Sequence, residues 1–371
     1  MSTLTTERVL NALKVVIDPD LNRNIVELDF VNAERVRIEG DVVYATVVLT
    51  TPACPVKEQL QQQCVAQIEA LEGVARAEVT MSANTATARP SQDQKEKRLS
   101  SVRNVIAVGS GKGGVGKSTV ATNIAYALAQ TGARVGILDA DIYGPSLPIL
   151  LGLRGETPAL NDNQKITPLE KHGLKVISMG FLLKDTDAVV WRGPMLGKAL
   201  QQFIEDVDWG ELDYLVIDLP PGTGDVQLSL AQLLELDGAL LVTTPQDVAF
   251  ADVRRALRMF QMMKVPLLGI IENMSYFLCP DNQKRYYIFG EGRTAKHAEE
   301  ASIPFLGQLP LEPALGPAAD RGELLAVSDP NSEQSQRFSE IAGKVASELS
   351  KRHMANEQKD NLKGFFKIRS N

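Results

Sequence analysis

Gly109-Ser110-Gly111-Lys112-Gly113-Gly114-Val115-Gly116-Lys117-Ser118-Thr119 is the stretch whose reading decides the fold. An apolar run of strand length, Val105-Ile106-Ala107-Val108, comes just before it, and a helical pattern from Ala121 to Gln130 follows. Strand, glycine-rich turn and helix in that order give G-x-x-x-x-G-K-S its meaning as a phosphate-binding loop. Glycines let the backbone wrap a polyphosphate with successive N–H groups turned inward. The helix N-terminus adds partial positive charge. Lys117 is placed to reach the β- and γ-phosphates, and Ser118 to bind Mg²⁺. Gly111, Gly113, Gly114, Val115, Gly116 and Thr119 complete the candidate cradle.

From residue 104 onward, apolar runs alternate with helical stretches. The runs are Val105–Val108, Val135–Leu138, Leu174–Met179, Leu215–Ile217, Ala239–Val242, Leu267–Ile271 and Phe305–Leu309. Such alternation predicts an α/β P-loop fold: a mostly parallel sheet flanked by helices on both faces. In sheets of this kind ligands bind at the carboxyl ends of strands. The chemical residues fall there. Asp139 ends one run and Asp141 opens the next loop; Asp218 ends Asp213-Tyr214-Leu215-Val216-Ile217-Asp218; Asn273 follows the strand that ends at Glu272. Asp218 fits a carboxylate holding the water shell of Mg²⁺, and Asp139 lies where it can approach the same ion through water. The alternative for Asp139 and Asp141 is turn or cap chemistry. Leu219-Pro220-Pro221-Gly222-Thr223-Gly224-Asp225 forms a stiff, hinged loop suited to sensing a γ-phosphate.

Residues 1–84 read as a small α+β domain, with helices over Thr5–Val16 and Lys57–Leu71 and strands over Val42–Leu49 and Val74–Met81. Residues 85–103 are polar and read as a linker, 104–350 as the nucleotide-binding domain, and 351–371 as a disordered tail. A chain of 371 residues with 44% hydrophobic content supports two globular domains. Its net charge of −7 argues against broad nucleic-acid binding, and no apolar run is long enough to cross a bilayer. A soluble, cytoplasmic protein is expected, without nucleic-acid or membrane partners. Three cysteines, Cys54, Cys64 and Cys279, make no disulfide framework. Cys54, between Pro52 and Pro55 at a helix start, reads either as a metal contact or reactive thiol favoured by the helix dipole, or as a small buried hydrophobe.

Lys112 sharpens the family. A second lysine inside the loop is superfluous for one nucleotide, and K-G-G-x-G-K-S resembles the deviant loop of MinD/ParA-type ATPases. That resemblance implies an ATP-dependent homodimer in which Lys112 crosses to the partner's nucleotide, Asp141 positions the attacking water and Asn273 contacts the adenine. Four further stretches are similar to the Mrp/ApbC-type iron–sulfur cluster carriers: Asp139-Ala140-Asp141-Ile142-Tyr143-Gly144-Pro145-Ser146, Trp191-Arg192-Gly193-Pro194-Met195, Asp218 to Asp225, and Glu272-Asn273-Met274-Ser275-Tyr276-Phe277. The N-terminal segment, with Asp18-Pro19-Asp20 and the Cys54 loop, resembles a PaaD-like iron–sulfur assembly domain. The resemblances imply slow ATP hydrolysis, a 4Fe–4S cluster held between subunits, and apo iron–sulfur clients and assembly factors as partners.

In those carriers a C-x-x-C pair follows the Asn-Met-Ser-Tyr stretch. This chain reads Cys279-Pro280-Asp281-Asn282, so one thiol per chain remains. Clusters are commonly held by four thiolates. Cys279 is a candidate ligand, with a small molecule, Cys54 or a bound client supplying others. Two rivals stand beside the carrier: an ATP-switched scaffold that holds no cluster, and a ParA/MinD-like spatial regulator.

Overall fold

The computed structural model of the protein describes all residues except 1–3, 84–98, 143, 182–192, 225–226, 229–232 and 369–371. The chain forms two compact units. One comprises Met1–Ala88 with Ala346–Asn371; the other is Arg89–Val345.

In the first unit, α1 (Thr6–Leu13) is capped by Thr5, whose hydroxyl accepts the Arg8 N–H. The strands β1 (Val36–Glu39), β2 (Val42–Leu49) and β3 (Arg76–Ala83) make a three-stranded sheet with β2 in the middle. Between β2 and β3 runs α2 (Lys57–Glu69). Strict alternation of half-buried and buried residues along β2 puts Val43, Ala45, Val47 and Leu49 into the core. There they meet Val9 and Leu13 of α1 and Leu60, Cys64 and Ile68 of α2.

The second unit is built on an eight-stranded sheet. Its strands are β4 (Val102–Ser110), β5 (Val135–Asp139), β6 (Leu169–Lys171), β7 (Leu174–Ser178), β8 (Leu212–Asp218), β9 (Gly238–Thr243), β10 (Leu267–Glu272) and β11 (Phe305–Gln308). They lie in the order β11-β10-β9-β4-β8-β5-β7-β6. Every pairing is parallel except β6 with β7. All seven apolar runs read from the sequence are strands of this sheet. The central ones are almost wholly apolar because helices cover both faces and neither side of the strand meets water, whereas Leu174–Ser178 and the edge strand Phe305–Gln308 keep half-buried polar residues, Lys175 and Gln308. The short β6 was not expected.

Parallel register lines up the chemistry. Asp218 pairs with Val108 on one side and Asp139 on the other, Val242 pairs with Ser110, and Thr243 pairs with Glu272. The carboxyl ends of β4, β5, β8, β9 and β10 therefore form one edge. The chain steps from β4 over β8 to β5 and later returns to β9 on the other side of β4, making a switch point at the glycine-rich loop.

The expected linker lies largely outside the described residues, as do Tyr143, Trp191, Arg192 and Asp225 of the family-like stretches. The C-terminal segment differs from expectation. A helix runs from Glu333 to Ile368 where disorder was expected from 351. Phe338, Ile341 and Val345 at its start are buried in the second unit. Farther along, within the first unit, the Thr50 hydroxyl donates to Ser350 Oγ at 3.1 Å, Lys351 lies 3.5 Å from Asp20, and Met354 packs on the small core. A polar sequence hid this because its partners are three hundred or more positions away.

Candidate nucleotide site and cysteine hairpin

The glycine-rich loop leaves β4 at Ser110 and enters α3 (Lys117–Gln130). Gly116, at φ 78°, is the residue before that helix, a left-handed conformation glycine adopts without strain. Space imposes the same choice, since a Cβ on Gly116 would lie 2.4 Å from the Asn273 side-chain nitrogen. Asn273 is buried, and its amide donates to the Val115 carbonyl at 2.9 Å. The amide that the resemblance assigns to an adenine edge thus holds the phosphate loop in shape. Gly111 packs so tightly against the Asp252 backbone that a Cβ would fall 2.4 Å from its carbonyl carbon. Lys112, on the outer arm, is half-buried, and the Ser110 hydroxyl donates to its carbonyl at 2.9 Å.

Lys117 is 6% exposed. Its Nζ lies 2.5 Å from Asp218 Oδ1, 3.8 Å from Asp141 Oδ2 and 3.3 Å from Ser118 Oγ. The sheet edge thus brings together four of the predicted site residues: Lys117, Ser118, Asp141 and Asp218. Asp218 is fully buried, and its Oδ2 has no hydrogen-bond partner among the described residues. Burial holds its carboxyl above the ordinary range, with Lys117 pulling the other way. An orphaned carboxylate oxygen beside a serine hydroxyl is a donor set of hard oxygens, which suits Mg²⁺.

Asp139 does not share that readiness. Its Oδ2 accepts from Ser146 N (3.0 Å), Leu147 N (3.1 Å) and Ser178 Oγ (3.0 Å), and its Oδ1 from Asp141 N (3.1 Å). These bonds tie the loop after β5 to the sheet and fix where Asp141 begins. The turn chemistry considered for Asp139 is what the geometry displays, and Ser178 is a partner that no local pattern points to. Burial, then repulsion from Asp218, pushes the Asp139 carboxyl up to about 7 in spite of these donors. Asp141 receives the Gly144 N–H at 3.3 Å and keeps its other oxygen toward Lys117. The proline-rich loop after β8 is tied in as well, with the Gly222 N–H donating to the Ser110 carbonyl.

Cys279 lies on a separate feature. Phe277–Leu278 and Arg285–Tyr286 pair antiparallel, and Cys279 opens the turn between them. Its N–H donates to the Lys284 carbonyl, and the Gln283 N–H donates back to its carbonyl. Asn282, standing where a second cysteine was expected, has a structural task here. Its Oδ1 accepts the Lys284 N–H at 3.0 Å, and its amide donates to the Tyr286 hydroxyl at 3.1 Å. Tyr286, Tyr287, Ile288 and Phe289 beyond it are exposed. Among the described residues no three His, Cys, Asp or Glu side chains are gathered as a metal site.

Cys54 corrects the expectation of a dipole-favoured thiolate. Burial pushes its thiol up to about 11, overriding a backbone hydrogen bond that lowers it, and Asp18 and Asp20 add repulsion. Cys64 is fully buried and is pushed up to about 12 by burial alone. The rise at Cys54 costs about a hundredfold in thiolate, of which higher intrinsic nucleophilicity returns about tenfold. Alkylation of Cys54 at pH 7.4, followed by mass spectrometry, is expected to be at least about tenfold slower than that of a free thiol such as glutathione. Reaction at the glutathione rate would mean that burial does not control this cysteine.

A family model described as "NUBPL iron-transfer P-loop NTPase" matches residues 101–346, and one described as "Iron-sulfur cluster assembly protein" matches residues 6–80. The chain is 47% identical over 351 residues to the iron–sulfur cluster carrier protein of Synechocystis sp., covering 94% of this chain and 98% of that one. It is 42% identical over 331 residues to the Escherichia coli protein of the same name, covering 89% of each. A nucleotide-binding protein from Archaeoglobus fulgidus, solved in complex with ADP, superposes with a TM-score of 0.57 at 40% identity, over 65% of this chain and 94% of that one. The septum site-determining protein MinD of Pyrococcus horikoshii, at 22% identity and a TM-score of 0.50 over 65% of this chain and 94% of its own, shares the fold. Among the described residues no helix is long and apolar enough to cross a membrane. With family matches over both units and relatives aligned along nearly the whole length, the chain belongs to the NUBPL iron-transfer P-loop NTPase family.

Proposed function

We propose that this protein is an iron–sulfur cluster carrier of the cytoplasm, driven by ATP binding and hydrolysis, that works as a homodimer and passes a 4Fe–4S cluster to apo-proteins. The observation that carries the ATP half is the buried set Lys117, Asp141 and Asp218 at the mouth of the glycine-rich loop. Lys117 leaves Asp218 for the β- and γ-phosphates when ATP enters, because three phosphates are a stronger partner than one carboxylate. Asp141, released from Lys117, orients the attacking water. Ser118 and the freed oxygens of Asp218 are the groups that would hold Mg²⁺, which supplies neutralisation of phosphate charge when bound. Asp139 serves by fixing the loop on which Asp141 rides. Asn273 holds the loop with its amide nitrogen, leaving its carbonyl oxygen for the adenine amino group.

Lys112 is assigned to the nucleotide of a second copy. Lys112→Ala is expected to bind ATP within about threefold of wild type and to lose about a hundredfold in kcat, the scale for removing one charge aimed at the transition state. A variant that hydrolyses at the wild-type rate removes the crossing lysine from the mechanism.

The cargo half rests on Cys279 and on the relatives' carrier names. It is tested by anaerobic loading followed by transfer to an apo dehydratase that needs a 4Fe–4S cluster. Reactivation no faster than with free iron and sulfide would end the carrier reading. One observation favours a second reading. Asn282 is bound into the turn, so this hairpin offers one thiol per chain, and an ATP-switched scaffold that docks assembly partners without holding the cluster fits that as well.

A further inference from the structure

The hairpin that presents Cys279 is short, two paired residues on each side, and its neighbours are largely exposed. Two-stranded hairpins of this size are not stable alone. Besides the Leu311 N–H, which donates to the Tyr276 carbonyl, a side chain outside the hairpin holds it. Glu333, in the first turn of the last helix, accepts the Tyr276 phenol at 2.8 Å. The same carboxylate oxygen lies 3.8 Å from the Arg285 guanidinium and 3.7 Å from that of Arg337. Arg285 also stacks over the Tyr276 ring at 4.3 Å. Tyr276, only 2% exposed, immediately precedes the first strand, and Arg285 pairs across the ladder with Leu278, the residue before Cys279. Both ends of the hairpin thus meet at one carboxylate. Its helix is in turn anchored by the buried side chains of Phe338, Ile341 and Val345.

We propose that Glu333 is a positioning residue for Cys279, setting the direction of the thiol through Tyr276 and Arg285 without touching it. The proposal rests on the reading of Cys279 as a cluster ligand and deepens it. A bridging cluster needs thiolates aimed at one point from two copies, and a turn free to swing would present them at variable spacing. A single cysteine on each turn makes that aim more demanding, since no second thiol shares it.

The test uses the full chain as wild type, Glu333→Ala, Glu333→Gln, Val345→Ala and Cys279→Ala. After anaerobic reconstitution, loss of visible cluster absorbance to a chelator is followed, and Cys279 alkylation is timed on the unloaded proteins. Glu333→Ala is expected to speed both by about fivefold, the scale of one partly exposed charged hydrogen bond with its ion pair. Glu333→Gln, which keeps an acceptor for the phenol, should restore much of the wild-type rate. ATP turnover should not change. Val345→Ala loosens the same helix away from the hairpin. If it speeds cluster loss and alkylation as much as Glu333→Ala does, the effect is general loosening and the positioning role is wrong. Unchanged rates in Glu333→Ala also overturn it. If Cys279→Ala keeps its cluster, the ligand reading itself has failed, and the alkylation rates alone decide whether Glu333 sets the turn.

Discussion

Lys117→Ala is expected to lose detectable ATP binding and to hydrolyse ATP at least about a thousandfold more slowly than wild type, a loss of the order expected for one preorganised charge in a phosphoryl-transfer site. The loop would keep its glycines and its backbone N–H groups, but the charge aimed at the β- and γ-phosphates would be gone. A second effect comes from the fold. Lys117 is 6% exposed and is paired with an Asp218 that is fully buried. Removing one member of a buried pair leaves the other uncompensated and costs about 3–5 kcal/mol. Unfolding by denaturant should therefore show a lower midpoint even without nucleotide. Normal turnover by this variant would sink the assignment of the site.

The stability loss has a sign in pH. Asp218 already sits above the ordinary range because of burial, and Asp139 is pushed up to about 7. A carboxyl whose folded pKa exceeds its unfolded value binds more protons folded than unfolded. Its contribution is complete below the unfolded value, near 3.8, and fades as pH rises through the folded one. Taking Lys117 away removes the influence that lowers the Asp218 value, so the fade extends to higher pH. The deficit of Lys117→Ala against wild type should be small at pH 5 and larger at pH 8. A deficit that does not vary with pH would show that Asp218 is not the group left stranded.

Much of this was legible in the sequence, and the limits of legibility follow distance along the chain. The glycine-rich loop is local: one strand, one turn and one helix in twenty-nine consecutive positions from Val102 to Gln130. The seven parallel strands are legible for a related reason, since burial on both faces leaves few polar residues, such as Lys175 and Gln308, to blur an apolar run. The strand Val36–Glu39 was missed because Val-Arg-Ile-Glu at the margin of a small sheet alternates over only four residues. The role of Asp139 depends on Ser178, thirty-nine positions away, and that of Asn273 on Val115, at a separation of 158. Cys54 shows the same limit in energetic form. Its local setting, before a helix, argues for a low thiol pKa, whereas its three-dimensional setting supplies burial and two aspartates that win. The last helix continues past the point where its sequence turns polar because Asp20 and Thr50 meet it. Motif spacing shows where chemistry can occur; which side chain is free to do it is decided by contacts no local pattern encodes.

Cys279→Ala is expected to leave the protein folded and active as an ATPase, yet unable to retain iron and sulfide after anaerobic reconstitution. Of the three cysteines, Cys64 is fully buried and Cys54 is held protonated by burial, so Cys279 is the thiol best placed to ligate. Ligation needs the thiolate, and a group pushed up to about 11 yields it at a large cost near neutrality. Iron and sulfide analysis with visible absorption on wild type and variant reads the result directly. A cluster kept by the variant would send attention to Cys54 in spite of its burial; no cluster in either protein would favour the scaffold. The companion substitution is Asn282→Cys. It adds the second thiol of a C-x-x-C pair but removes the bonds from Asn282 to the Lys284 N–H and the Tyr286 hydroxyl. If thiol number limits retention, this variant holds the cluster longer than wild type. If the shape of the turn limits it, the added ligand brings no gain, because the bonds that aimed Cys279 have been given up to obtain it.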